Sequence, residues 1–141
     1  MAKYRIVEAK TKSARETVLA LHTIIFGESA PQIDPSIGFW WIVTLAGEAV
    51  GFAGIRTAQS TSDAAYLERS GVTVGHRGHG LQRRLIRVRE ARARREGWQR
   101  IVTDTYYNVP SANNLIRSGY VMFNPPIWWN REGACYWTKM V

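Results

Sequence analysis

Cysteine is almost absent from this sequence, which contains Cys135 alone among its 141 residues. No disulfide can therefore form within the chain, as is usual for proteins of reducing compartments. The sequence also lacks any run of about 18 apolar residues, the length that a membrane-spanning helix needs. Its first residues, MAKYRIVEAKTKSARE, carry charges where a secretory signal has an apolar core. These absences predict a cytoplasmic protein that does not act at a membrane.

Acidic residues are also scarce, since 11 Asp and Glu stand against 19 Lys and Arg and give a formal charge of +8. Such an excess attracts anionic partners over long range, but it does not distinguish nucleic acids, lipids and nucleotide-bearing cofactors. The excess is concentrated, because nine arginines lie between Arg77 and Arg100. The role of this stretch therefore decides the class of partner.

Apolar residues make up 45% of the chain and charged residues 21%, which is typical of a globular protein, and the length fits a single domain over residues 1–141. Period-two runs and helical spacing predict the order strand, helix, three strands, helix, strand, helix and two strands. This order predicts an α+β fold. We expect one central, mixed but mostly antiparallel, twisted sheet of about six to seven strands flanked by helices.

Three glycines, Gly75, Gly78 and Gly80, lie between a predicted strand and a predicted helix from about Leu81 to Glu96. The first backbone N–H groups of a helix have no partner within it and lie at the positive end of its dipole, so this turn suits a phosphate group. No Gly-Lys-Ser/Thr follows, and no acidic residue lies about twenty positions on in the right setting, which argues against a Walker loop and a dinucleotide fingerprint. A phosphate-binding turn of another kind and a glycine-rich turn without a ligand both stay open.

The six residues RGHGLQ, Arg77–Gln82, resemble the Gln/Arg-x-x-Gly-x-Gly/Ala signature of the GNAT family of N-acetyltransferases. Upstream, SGVTV is similar to the family's fourth strand, and downstream, NVPSANNLIRSGY is similar to its Asn-x-x-Ala-x-x-x-Tyr-x-x-x-Gly-Phe segment. The order of strands and helices also agrees from end to end. The resemblance implies a sheet splayed between its fourth and fifth strands. It also implies direct transfer of an acetyl group from acetyl-CoA to a primary amine of an unidentified small-molecule or peptide acceptor, with no metal.

The resemblance further implies that acetyl-CoA contacts the end of the fourth strand, whose backbone aligns the pantetheine arm, the glycine loop, and the segment after the fifth strand. These residues are Val72, Thr73, Val74, Arg77, Gly78, His79, Gly80, Leu81, Gln82, Arg83, Asn108 and Asn113. Gln82 departs from the signature, which has Gly or Ala there, so its side chain must turn away from the pyrophosphate or contact it. For Arg77, Arg83 and Arg84, near the same turn, a phosphate contact and a solvated surface are both open.

Acetyl transfer needs a base, because the attacking amine must lose a proton. The family often places a base in the region of Glu68, although a lone Glu in a strand more often faces solvent. Where the family often has a tyrosine that protonates the leaving thiolate, this sequence has Leu115. Tyr106 and Tyr107, at the end of the predicted fifth strand, are alternative acids. We expect only one of them to act, because neighbours in a strand face opposite sides.

Other side chains near the predicted site have two interpretations each. His76 and His79 are candidates for proton transfer, but loop histidines beside a cofactor more often cap or pack. In the pairs Trp40–Trp41 and Trp128–Trp129, one member is expected to point inward, and the outward member would wall an acceptor pocket.

The arginine-rich helix leaves two other function classes open, a non-catalytic module that binds or senses acyl-CoA and a basic nucleic-acid-binding protein. Most of its arginines are expected on a solvated face, with ion pairs between Glu90 and Arg94 and between Arg92 and Glu96. We therefore expect acetyl-CoA and an amine as partners rather than nucleic acid. Similar proteins often form homodimers, and the oligomeric state stays open.

Overall fold

The computed structural model describes residues 3–59 and 63–141. In that part of the chain, seven strands and three α-helices follow one another in the predicted order. The strands are β1 (Tyr4–Glu8), β2 (Phe39–Leu45), β3 (Glu48–Thr57), β4 (Ala64–Val72), β5 (Arg100–Thr105), β6 (Val121–Met122) and β7 (Cys135–Met140). The helices are α1 (Lys12–Phe26), α2 (Leu81–Glu96) and α3 (Val109–Arg117).

The strands form one sheet in the order β1-β2-β3-β4-β5-β7-β6. β1 pairs with β2, β2 with β3, and β7 with both β5 and β6, all in antiparallel orientation. β4 and β5 are parallel, and their ladder joins Ala64–Tyr66 to Arg100–Val102. The prediction of a mixed, mostly antiparallel sheet of about six to seven strands is confirmed, and the short parallel ladder fits the predicted splay.

The ends of the elements follow from local chemistry. The Thr11 side chain accepts a hydrogen bond from Ala14 N at 3.1 Å and so caps the start of α1. α2 ends before Gly97, as predicted, because this residue has a φ of 82°, a left-handed conformation that glycine adopts without strain. β2 and β3 are joined by Ala46 and Gly47, both of positive φ, as a tight two-residue hairpin requires.

The chain divides into two compact units. Unit 1 comprises residues 1–56 and 68–85, and unit 2 comprises residues 57–67 and 86–141. The core of unit 1 contains Ala9, Val18, Leu21, Trp40, Ile42 and Phe52. A core cluster of unit 2 consists of Ala58, Ala64 and Val102, with Tyr66, Phe123 and Trp129 packed against it. Each unit therefore has apolar packing of its own, while the single functional domain over residues 1–141 stays a prediction.

The two tryptophan pairs behave differently. Trp40 and Trp41 are only 2% and 5% exposed, and the indole of Trp40 donates a hydrogen bond to Ile37 O at 2.7 Å. The prediction that one member of this pair walls a pocket is therefore wrong, because both are buried in unit 1. In the second pair, Trp129 packs against the core of unit 2, whereas Trp128 is exposed.

Candidate functional site

A turn of glycines separates the end of β4 from the start of α2 in unit 1. After β4 the chain makes one 3₁₀ turn, Val74–His76, and then a loop, residues 77–80, before α2 begins at Leu81. Gly78 and Gly80 have φ values of 84° and 71°, in a region where other side chains are strained. A Cβ atom at either glycine would meet no atom within 4 Å. The glycines therefore leave an open surface at the start of the helix.

The backbone N–H groups of this turn are the donors that an anion would use. The first hydrogen bond of α2 joins Arg84 N to Gly80 O at 3.2 Å. Within residues 3–59 and 63–141, the N–H groups of residues 78–83 make no hydrogen bond. These donors, at the positive end of a helix dipole, fit a phosphate or diphosphate group.

Tyr4 of β1 holds the glycine loop in place. Its hydroxyl lies 2.9 Å from His76 Nδ1, and its ring centroid lies 5.3 Å from that of His79. Its carbonyl oxygen accepts a hydrogen bond from Arg84 Nη2 at 3.4 Å. Both loop histidines therefore pack against a tyrosine, and the loop is fastened to the sheet at a strand distant in sequence.

The end of β4 differs from the prediction, because the strand stops at Val72 and the chain turns. Thr73 N donates to a carbonyl of β3 at 2.9 Å, and Thr73 O accepts from His76 N at 2.9 Å. Val72 O accepts from Arg77 Nε at 3.2 Å. Thr73 N, Thr73 O and Val72 O are therefore already hydrogen-bonded within unit 1. The backbone contacts of Val72, Thr73 and Val74 with acetyl-CoA stay a prediction.

The three arginines nearest the turn have different surroundings. Arg77 and Arg84 each donate one hydrogen bond to a backbone carbonyl, whereas Arg83 is exposed and has no partner in the described part of the chain. Among these three arginines, Arg83 is therefore the one whose side chain is left for an anionic ligand. Further along α2, Arg89 is buried, and the exposed arginines are Arg87, Arg94 and Arg95.

The ion pairs of α2 were predicted correctly at one of two places. Arg92 Nη1 lies 3.9 Å from Glu96 Oε2, which confirms a weak i,i+4 pair. Glu90 is only 5% exposed, and its Oε2 lies 3.0 Å from Lys139 Nζ of β7. The prediction of a Glu90–Arg94 pair is therefore wrong, because tertiary packing gives Glu90 a lysine partner from another element.

Gln82 turns its side chain toward β4. The hydroxyl of Ser70 donates a hydrogen bond to Gln82 Oε1 at 2.9 Å, and both residues are half-buried. This bond ties the first turn of α2 to the strand beside it. It also gives a physical reason for a long side chain at a position where the GNAT signature has Gly or Ala.

Glu68, the predicted base, lies in β4 and is held by Arg56 of β3. Arg56 Nε lies 2.6 Å from Glu68 Oε1, and the two side chains are 25% and 14% exposed. The carboxylate is therefore not on the solvated face where a lone Glu in a strand would be expected. A salt bridge of this kind fixes the position of the carboxylate, which suits a base as well as a structural ion pair.

Arg69, the next residue of β4, fastens the segment that follows α1. Its Nη1 lies 2.8 Å from His22 Nε2 and donates to Pro31 O at 3.1 Å. Burial, and secondly the charge of Arg69, lower the pKa of His22. A neutral His22 can accept the hydrogen bond from Arg69, so this contact is maintained without repulsion between two cations.

Tyr106 and Tyr107, the predicted acids, lie in unit 2 beyond the end of β5 at Thr105. Tyr107 has a φ of 48°, so the strand cannot continue through it. The two rings contact each other edge to face, with centroids 4.6 Å apart. The argument that the two face opposite sides of a strand is therefore wrong. The Arg131 guanidinium covers the ring of Tyr106 at 3.7 Å, whereas Tyr107 is 83% exposed.

The segment after β5 places its predicted residues on α3. The Asn108 side chain accepts a hydrogen bond from Ser111 N at 3.1 Å and caps this helix. Asn113 is exposed, and Leu115 is buried. A buried Leu115 has a packing role in unit 2, which gives a structural reason for an apolar residue where the family often has a tyrosine.

Asp104 of β5 is a residue that the sequence analysis missed. Its carboxylate accepts hydrogen bonds from Tyr66 OH at 2.6 Å, from Trp129 Nε1 at 3.0 Å and from Asn130 Nδ2. These donors come from β4 and from the connection between β6 and β7. The only available signal was an acidic residue inside the buried run IVTDT, where a carboxylate is expected to have partners.

The connection between β6 and β7 is ordered by further side-chain bonds and borders a pocket. The Trp128 indole donates to Asn124 Oδ1 at 2.8 Å, and Asn130 N donates to Tyr136 OH at 3.0 Å. The pocket has a volume of about 160 Å³, and its wall includes Phe123, Trp128, Arg131, Glu132 and Tyr136. Its aromatic and charged wall gives unit 2 a small, amphipathic surface depression.

A family model described as the acetyltransferase (GNAT) family matches residues 5–120, which is most of the chain. The chain belongs to the GNAT acetyltransferase family. The general reaction of this family is acetyl-CoA-dependent transfer of an acetyl group to an amine. No curated protein matches the sequence.

Solved structures of GNAT proteins share the fold at low sequence identity. The ribosomal-protein-S18-alanine N-acetyltransferase from Escherichia coli is 14% identical with a TM-score of 0.76, over 98% of this chain and 94% of that one. The GNAT domain of S. lividans PAT is 16% identical with a TM-score of 0.75, over 99% and 90%. A putative GNAT acetyltransferase from Desulfovibrio desulfuricans is 14% identical with a TM-score of 0.79, over 98% and 99%. These likenesses confirm the predicted GNAT fold.

Residues 3–59 and 63–141 show neither a membrane-spanning helix nor a metal-binding cluster of side chains. None of their helices is long and apolar enough to cross a membrane. They contain no group of three or more His, Cys, Asp and Glu side chains placed to hold a metal ion.

Proposed function

We propose that this GNAT protein is a cytoplasmic N-acetyltransferase that moves the acetyl group of acetyl-CoA directly to a primary amine in a ternary complex. The observation that carries the proposal is the glycine turn before α2, where the N–H groups of residues 78–83 lack acceptors in the described part of the chain. Donors of this kind match the diphosphate of a CoA ester. The match of the GNAT family model to residues 5–120 supports the same ligand.

In this proposal the turn binds the diphosphate, and Arg77 and Arg83 add positive charge beside it. When bound, acetyl-CoA supplies the thioester whose acetyl group is transferred. The backbone of Val72–Val74 aligns the pantetheine arm. Asn108 and Asn113 stay candidates for polar contacts with the cofactor, as the family resemblance implies. Binding through backbone donors makes recognition depend on the shape of the turn rather than on one side chain.

Glu68 serves as the base that takes a proton from the amine, directly or through a water molecule. Its salt bridge with Arg56 at 2.6 Å supports this role by fixing the carboxylate. Tyr107 protonates the leaving thiolate, since its side chain is exposed, and the ring of Tyr106 is covered by Arg131. CoA is a moderately good leaving group, so the acid contributes less to the rate than the base.

The acceptor is a primary amine of a small molecule or peptide. A panel of amines, including amino acids, polyamines, aminoglycosides and peptides with free N-termini, is incubated with protein and acetyl-CoA while release of CoA thiol is measured. We expect at least one amine to raise thiol release above hydrolysis, with its acetylated product detected by mass spectrometry. If no amine does so while acetyl-CoA still binds, the protein is the non-catalytic acyl-CoA module instead.

Nucleic-acid binding is the second candidate, and the exposed Arg83, Arg87, Arg94 and Arg95 of α2 favour it. Binding through phosphate contacts weakens steeply with salt, with a linear dependence in logarithmic form. Acetyl-CoA binding through backbone donors should depend far less on salt. Titrations with an oligonucleotide and with acetyl-CoA at two salt concentrations therefore separate the two functions.

A further inference from the structure

Gln82 differs from the GNAT signature in a way that the structure makes informative. The family has Gly or Ala at this position, where a small residue lets the ligand approach the backbone. Here the Gln82 carbonyl oxygen, Oε1, accepts a hydrogen bond from Ser70 at 2.9 Å. Gln82 is the second residue of α2, and its side chain is bonded to β4 rather than extended into solvent.

The hydrogen bond to Ser70 leaves the other end of the amide available. An amide nitrogen carries two N–H donors, and in the described part of the chain Gln82 Nε2 has no acceptor. Because Oε1 is bonded to Ser70, rotation of the amide is restricted, and Nε2 belongs to a side chain that starts in the first turn of α2. That turn also carries the unpaired N–H groups of residues 78–83.

We propose that Gln82 is a cofactor-positioning residue whose Nε2 donates a hydrogen bond to a diphosphate oxygen of acetyl-CoA, with Ser70 setting the orientation of the amide. The inference rests on the proposed function, because it assigns a side chain to the same cofactor site. In most family members, a Gly or Ala at this position lets the diphosphate come close to the backbone. Gln82 instead offers a side-chain donor that is oriented before the ligand binds. A pre-oriented donor loses little side-chain entropy on binding.

The test is calorimetric binding of acetyl-CoA and of 3′-phosphoadenosine 5′-diphosphate, which carries the diphosphate without the pantetheine arm. Gln82→Ala should weaken both ligands about tenfold, as expected for one hydrogen bond to a charged group. Gln82→Glu keeps an acceptor for Ser70 but places a carboxylate beside the diphosphate, so it should weaken both ligands by more than Gln82→Ala. Ser70→Ala should weaken both a few-fold, because the donor stays but loses its orientation.

Gln99→Ala is the matched control, since Gln99 is exposed and its hydrogen bonds are made by its backbone. Melting temperatures without ligand show whether each variant folds as the parent does. Unchanged or tighter binding in a folded Gln82→Ala variant would overturn the inference, because Ala would then simply restore the family pattern. Weaker acetyl-CoA binding with unchanged binding of the diphosphate ligand would also overturn it. A parent protein that binds neither ligand would refute the proposed function itself.

Discussion

The glycine turn of unit 1 and the loop from Asn124 to Ala134 in unit 2 are organised in opposite ways. The turn exposes backbone donors that have no acceptor in the described residues, and a Cβ atom at Gly78 or Gly80 would meet open space. The loop bonds its own side chains to one another and to Asp104. The backbone donors of the glycine turn can therefore gain hydrogen-bond acceptors from a ligand. The loop from Asn124 to Ala134 is held in its conformation by its own hydrogen bonds.

In the proposed function, this contrast corresponds to two tasks, the binding of acetyl-CoA and the binding of the acceptor amine. Acetyl-CoA is the same molecule for every family member, so donors of the backbone itself can bind its diphosphate. Acceptor amines differ between enzymes, so side chains must form that surface. The two segments also differ in sequence, because Gly, His and Arg fill residues 77–80, whereas residues 124–134 contain two tryptophans, four charged or amide side chains and two prolines.

The most damaging change to the first region should be Gly80→Asp. The substitution places a carboxylate where the diphosphate is expected, so acetyl-CoA affinity should fall at least hundredfold by calorimetry. Gly97→Asp is the matched control, because Gly97 also has a left-handed φ, 82°, and open space around its Cβ position at the other end of α2. Parental affinity in Gly80→Asp, or an equal loss in Gly97→Asp, would show that the cofactor site is elsewhere.

Glu68→Gln should lower turnover by about 10²–10⁴-fold, the usual contribution of a general base, while acetyl-CoA affinity stays within twofold. The amide can still accept the hydrogen bond from Arg56, so the side chain keeps its place. Arg56→Gln is the companion variant, since it removes the salt bridge and leaves the carboxylate. Turnover near the parental value in Glu68→Gln, or the same loss in both variants, would assign Glu68 a structural role.

Asp104→Ala should lower the free energy of unfolding by about 2–3 kcal/mol in urea titrations, because three half-buried donors lose their acceptor. Acetyl-CoA affinity should not change, since the backbone donors of the glycine turn are untouched. Asp34→Ala provides the comparison, because the exposed Asp34 accepts hydrogen bonds only locally, from Ser36. An equal effect of the two substitutions on stability would mean that the Asp104 network does not hold the loop.

Tyr107→Phe should slow acetyl transfer about tenfold with little change in acetyl-CoA affinity, because it removes the exposed phenol that we propose as the acid for the thiolate. Tyr106→Phe should change the rate less than threefold, since the phenylalanine ring can still pack beneath Arg131. The rates are measured by thiol release with the amine that the panel identifies. Parental rates in both variants would mean that water or another group protonates the thiolate.

The order of the strands and helices and the glycine turn were predictable because their signals are local. Period-two runs predict the strands, and helical spacing and Gly97 predict α2 from Leu81 to Glu96, without reference to the rest of the chain. The Asp104 network and the Glu90–Lys139 pair were not predictable, because their partners lie 25 to 49 residues away or on another element. The buried Trp41 and the turn at Tyr107 likewise depend on tertiary packing.

The central claim is that the glycine turn of this protein binds acetyl-CoA, and a thermal unfolding series with the parent protein tests it most directly. At about 100 times the dissociation constant, binding to the native state alone adds roughly 2.7 kcal/mol of stability, so the melting temperature should rise by several degrees and saturate. The rise should persist when salt is increased. No rise at millimolar acetyl-CoA, or one that is abolished by moderate salt, would contradict the account.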